Sequence, residues 1–109
     1  MPWKNRNSYG FTRDSIHANA PARSGVYGLF AQQWVYIGEA EDIRARLLGH
    51  LAGDDECVAR HRPNGFVFET WPASLRAARR QELVQEFQPL CLERAPVHPA
   101  TTSPATEGV

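Results

Sequence analysis

The chain lacks net charge: its 12 basic residues are balanced by 12 acidic ones. That excludes the global positive field that draws many small proteins onto nucleic acid. It also lacks any apolar run near the ~20 residues of a membrane-spanning helix, so no membrane partner is expected. The opening stretch Met1-Pro2-Trp3-Lys4-Asn5-Arg6 leads into no apolar segment, and a secretory leader is not expected. Cysteine is scarce. Cys57 and Cys91 form neither a CxxC nor a metal-ligand spacing, and they read as free thiols of a reducing compartment, with the cytoplasm as the expected location. Lysine is nearly absent too. Eleven of the 12 basic residues are Arg, most of them between Arg44 and Arg80, so a local basic face on a neutral protein is expected. At 109 residues there is room for one small core.

What is present is organised around two short apolar runs, 25–31 and 33–38, rich in Val, Tyr, Phe, Trp and Ile. With the short gap between them they predict an antiparallel hairpin. Strand alternation puts Trp34 and Tyr36 on one face and Val35 and Ile37 on the other. Each strand presents one tyrosine, Tyr27 and Tyr36, and the register decides whether they share a face. Asp42 is a suitable N-cap for a helix over about 43–52, with Ile43, Leu47, Leu48 and Leu51 toward the core. Residues 56–63 suggest a second short helix. Phe66–Trp71 reads as a third strand, with Glu69 toward solvent. Ser74 can cap a last helix over about 75–88 that Pro89 closes. Three divisions follow: an N-terminal extension at 1–23 packing on the domain edge, a domain at 24–92, and a disordered tail at 93–109. The fold class is α+β, a small three-stranded, mostly antiparallel sheet flanked by helices.

The residues that can carry chemistry cluster after the hairpin. Arg46 and His50 stand four apart on the predicted helix and so share one flank. Phosphodiester hydrolysis needs an activated water, neutralisation of the phosphate and help for the leaving oxygen. Tyrosine does acid or base work only if its pKa of about 10 is brought down. Arginine suits bidentate phosphate contact. Histidine moves protons near neutrality. A carboxylate normally holds a divalent ion in such a site.

Gly25-Val26-Tyr27, then Tyr36-Ile37-Gly38, then Arg46 and His50, and finally Leu83-Val84 and Gln88-Pro89 together resemble the GIY-YIG nuclease domain over about residues 24–92. The resemblance implies metal-dependent DNA cleavage of the kind seen in excinucleases, some homing endonucleases and some restriction enzymes, and with the excinucleases a DNA-repair setting. It implies catalytic roles for Tyr27, Tyr36, Arg46 and His50, motif glycines at Gly25 and Gly38, and a Mg²⁺ or Mn²⁺ cofactor. The family's metal-binding Glu falls at Arg80, its late Asn at Leu92, and a lysine common in the excinuclease branch at Glu39. Glu82 is the nearest carboxylate to the metal position and is taken as the ligand, with Glu39 as a replacement.

Arg44, Arg76, Arg79 and Arg80 are read as a DNA-backbone stripe, the last three at i, i+3, i+4 spacing. DNA is the expected partner, and a protein partner would supply specificity. The alternative is a degenerate module that binds nucleic acid or protein without cutting.

Overall fold

The computed structural model describes residues 3–5 and 7–92, so the tail assigned to 93–109 lies outside the described residues. Eight elements follow one another: β1 (Tyr9–Gly10), α1 (Arg13–Asn19), β2 (Gly25–Phe30), β3 (Trp34–Ala40), α2 (Ile43–Leu51), α3 (Glu56–His61), β4 (Gly65–Thr70) and α4 (Ala73–Phe87). The sheet has four strands in the order β1-β4-β2-β3, all pairs antiparallel, rather than the three expected. The additional strand is short: Tyr9 and Gly10 pair with Phe66 and Gly65. No helix among the described residues is long and apolar enough to cross a membrane.

Side-chain caps set the helix starts. Asp42 accepts from the Ala45 N–H at 2.9 Å, and Thr12 and Asp55 cap α1 and α3 in the same way. The last helix departs from expectation, because Pro72, not Ser74, holds the cap position and its side chain makes no capping bond.

The hairpin register puts Tyr27 opposite Gly38 and Leu29 opposite Tyr36, so both tyrosines lie on one sheet face. The register shifts between Leu29 and Phe30, where Phe30 pairs with Trp34 and leaves Val35 as an extra residue. Such a bulge reverses the alternation beyond it. Trp34 therefore stacks with Trp3 and packs at a tilt against Phe87 on the α4 side, and Val35 joins the core around Tyr36, contrary to simple alternation.

Two cores result. One holds Tyr27, Leu29, Tyr36, Ile43, Leu47, Val58 and Phe66, closed by Ile16 of α1 and by Ala20, the C-cap of that helix. The other, beneath α4, holds Val26, Ile37 and Leu83 with Trp71, Val84 and Phe87 packed against it.

Three expectations are corrected. Cys57 and Cys91 are joined as a disulfide, not free. Glu69 is buried, not solvent-facing, because β4 turns it under α4. Leu51 is exposed, because the inward positions of α2 are Ile43, Leu47 and His50.

Candidate active site

The hairpin and α2 bring four of the sequence-selected residues together. Tyr27 donates to, or accepts from, His50 Nε2 at 2.8 Å. The rings of Tyr27 and Tyr36 lie 5.9 Å apart, and the His50 ring stands 4.8 Å from Tyr36 and 5.6 Å from Tyr27. All three rings are buried, with at most 3% exposure. Arg46, one helical turn before His50, is the member that reaches solvent, with 44% of its side chain exposed.

The two motif glycines make the arrangement possible sterically. A Cβ on Gly38 would come within 2.7 Å of Tyr36 Cε2 and 2.8 Å of the Tyr27 oxygen, so only glycine lets both phenols lie across that strand. A Cβ on Gly25 would fall on the Glu69 carbonyl oxygen, so glycine there admits the close approach of β4.

Electrostatics assign the protons. Burial pushes the His50 pKa below its ordinary 6.5 and Arg46 adds to that, against the opposing pull of Asp54 and Asp55. The imidazole is therefore neutral at pH 7 and its Nε2 accepts the phenolic hydrogen of Tyr27 when the proton sits on Nδ1. Asp54 Oδ1 lies 3.5 Å from Nδ1, and Asp54 Oδ2 lies 3.8 Å from Arg46 Nη1. For Arg46 burial works to lower the pKa, but the charge and hydrogen bond of Tyr27, then Tyr36 and Asp54, outweigh it and raise the value. Asp54 was not among the sequence candidates. Its signal is its place four residues after His50, in the turn just past the helix.

The remaining candidates lie elsewhere. Glu39 follows Gly38 and so points to the opposite face, where its carboxylate takes Arg76 Nε at 2.9 Å and has Arg80 Nε at 3.6 Å. Arg79 is withdrawn from the surface, 4% exposed, and grips buried Glu69 through two bonds of 2.8 and 2.9 Å. It also holds Glu82 at 3.0 Å. The arginine stripe of α4 thus faces the sheet, because β3 and β4 offer carboxylates there. Arg44 donates to the Ala20 carbonyl at 2.8 Å and Arg76 also to Ser24 at 3.0 Å. Leu92, at the late Asn position, is 69% exposed. A cavity of about 530 Å³ lined by Trp3, Phe30, Trp34 and Phe87 opens at the hairpin end and includes none of the four clustered residues.

No family model matches the sequence, and no curated protein does. Solved structures do. A tyrosine point mutant of the GIY-YIG N-terminal endonuclease domain of UvrC from Thermotoga maritima, bound to its catalytic divalent cation, aligns at a TM-score of 0.60 and 21% identity, covering 69% of this chain and 92% of that one. The same UvrC domain bound to magnesium aligns at 0.59 and 22% identity, with 69% and 92% coverage. At that identity the likeness speaks for the backbone, and it agrees with the sheet, the paired motifs and the late helix: the chain has a GIY-YIG-like fold.

Proposed function

We propose that this chain is an endonuclease that hydrolyses DNA phosphodiester bonds at the Tyr27–Tyr36–Arg46–His50 cluster. The observation that carries this reading is the 2.8 Å Tyr27–His50 hydrogen bond lying behind a solvent-reaching arginine. The Arg46 fork takes the phosphate and neutralises the charge that builds on it during attack. Drawing Arg46 outward opens the Tyr27 oxygen to water. That oxygen takes a proton from the attacking water while its own proton passes to His50 Nε2. The imidazolium so formed has the Asp54 carboxylate beside it. Tyr36, against the same imidazole, fixes the ring and helps position the water. Arg46 is the proposed DNA-backbone contact, since Arg44 is engaged by the Ala20 carbonyl and Arg76 and Arg80 by Glu39, and a protein partner supplies specificity. The proposed setting is DNA repair.

The UvrC neighbours hold a catalytic divalent cation, magnesium in one of them. Mg²⁺ or Mn²⁺ is the ion such a site takes, through one or two carboxylates. Among the described residues, the carboxylates of Glu39, Glu82 and Asp54 do not fit one as they stand. Glu39 lies between two guanidiniums, Glu82 is tied to Arg79, and Asp54 stands beside Arg46.

Supercoiled plasmid incubated with the protein in chelator, in Mg²⁺ and in Mn²⁺ tests the reading. Nicking is expected, with a loss of at least about 100-fold in Arg46→Ala. Absence of nicking in all three media overturns it. Non-cleaving DNA binding is the second reading, favoured by the Glu39–Arg80 contact. Under that reading Arg80→Glu sets two carboxylates side by side and confers Mg²⁺-dependent nicking on an inert parent.

A further inference from the structure

Cys57 and His61 stand four apart on α3 and therefore on one face of that helix. The third member, Cys91, comes from the chain beyond α4. One ligand atom from each of the three residues lies within 4.8 Å of the other two. Backbone hydrogen bonds add to the sulfur–sulfur bond in holding the Cys91 side of this grouping. The Cys91 N–H donates to the Val35 carbonyl at 2.8 Å and the Leu90 N–H to the Trp34 carbonyl at 3.0 Å, so the segment runs as a short parallel bridge beside Tyr36. On the other side, α3 is fixed by buried Val58 and by the Asp55 cap. Breaking the disulfide leaves two sulfurs and an imidazole facing one point. A cavity of about 560 Å³ lined by His61, Asn64, Gln33 and Leu90 adjoins it and gives access from solvent.

The geometry points to a zinc-type metal site, formed by Cys57, His61 and Cys91 when the disulfide is reduced. Two thiolates and one imidazole select a borderline-soft, tetrahedral ion over Mg²⁺ or Mn²⁺, which prefer oxygen. The fourth position is left to water. The chemistry balances with a thiol reductant as co-reactant. Two reductant thiols give up two hydrogens and become one disulfide, while Cys57 and Cys91 become thiols. The incoming dication then displaces two thiol protons and takes a neutral nitrogen of His61. Oxidised and metal-bound forms tie the same two segments together, so the chain beside Tyr36 stays latched in either redox state. This site is independent of the nuclease reading, since it shares no residue with the tyrosine cluster.

The test uses the full chain, reduced with a phosphine and freed of metal, then titrated with Co²⁺ alone and back-titrated with Zn²⁺. A thiolate-to-cobalt charge-transfer band that saturates at one ion per chain and is abolished by Zn²⁺ is expected. The oxidised chain should give no band. His61→Ala, a change at an exposed residue that leaves the fold intact, should weaken binding at least about tenfold, as losing a ligand costs no less than losing a supporting contact. Cys57→Ser should remove most of the band. The proposal is overturned if the reduced wild type shows no charge-transfer band, or if His61→Ala binds Co²⁺ as tightly as wild type.

Discussion

Replacing Gly38 by alanine tests the site most directly, because the structure supplies both the clash and its consequence. The new Cβ would lie 2.7 Å from Tyr36 Cε2 and 2.8 Å from the Tyr27 oxygen. Carbon atoms rest about 3.5–4.0 Å apart, so the rings must retreat by roughly 0.8 Å. Neither can turn away, since both are packed in the core. Overpacking of this size costs about 1–3 kcal/mol. Alanine at a position of ordinary φ returns about 0.4–1 kcal/mol through the unfolded chain. The net loss is therefore at most about 2.5 kcal/mol, or a fall in melting temperature of no more than roughly 20 °C for a domain of this size.

The chemical effect is larger than the stability effect. Tyr27 cannot shift by that distance and keep its 2.8 Å bond to His50, and a misplacement near 1 Å costs about 100-fold in rate. The expected phenotype is a folded, slightly less stable protein whose plasmid nicking is slowed about 100-fold. NMR of the His50 ring nitrogens reads the same event without catalysis, through loss of the hydrogen-bonded Nε2 signature. Wild-type nicking together with unchanged His50 resonances would show that Gly38 does not position the phenols.

Acid should unfold the chain in two steps. With His50 held below 6.5, the unfolded chain binds that proton more readily, so its contribution is complete above about pH 6.5 and is lost as pH falls toward the folded value. Burial pushes Glu69 up, but hydrogen bonds from Arg79, the Lys4 N–H and Trp71 prevail and hold it below 4.5, so a second loss begins below that pH. Melting temperatures of wild type and His50→Asn across pH 3–8 separate the two, and the upper step should vanish in the variant. Arg79→Met leaves Glu69 buried without its partner and should cost about 3–5 kcal/mol in urea titration, whereas Glu69→Leu/Arg79→Met should cost less than the single change. If the double change costs as much, the pair is not coupled. Reducing the Cys57–Cys91 link, which spans a sequence separation of 34, in metal-free buffer should lower stability by about 4 kcal/mol, and a loss under about 1 kcal/mol would contradict a folded-state constraint there.

Much of the scaffold could be read from local sequence. The hairpin, the Asp42 cap and the Arg46–His50 flank depend on short-range pattern alone, and the structure has each of them. The bulge at Val35 could not be read, because an extra residue in one strand leaves no mark in a run of apolar side chains. The inward turn of His50 was readable: Ile43, Leu47 and His50 repeat at i, i+4, i+7, but polarity made Leu51 the preferred core residue. The arginine stripe misled for a long-range reason. Arg76, Arg79 and Arg80 look like a solvent face until β3 and β4 are seen to place Glu39 and Glu69 beneath them. The approach of His61 to both cysteines likewise depends on where the chain goes after Pro89.

The two sheet faces divide the candidate chemistry. Gly38 and Glu39 are consecutive on β3 and so serve opposite faces, one floored for the tyrosines and the other joined to α4. Where the resemblance calls for a cation on the strand and a carboxylate on the late helix, this chain has Glu39 on the strand and Arg80 on the helix, 3.6 Å apart. The exchange keeps the pair neutral but reverses what it offers to an ion. A dication near Glu39 would meet two guanidiniums, and like charges 4 Å apart repel by about 4 kcal/mol per unit charge near a protein surface. Metal entry therefore requires Arg80 to leave, which is why Arg80→Glu and chelation are informative together. On the tyrosine face no ion pair has to be exchanged: the cation, the buried phenol and the neutral imidazole are already within reach of one another, and only an outward swing of the half-exposed Arg46 is needed to admit water.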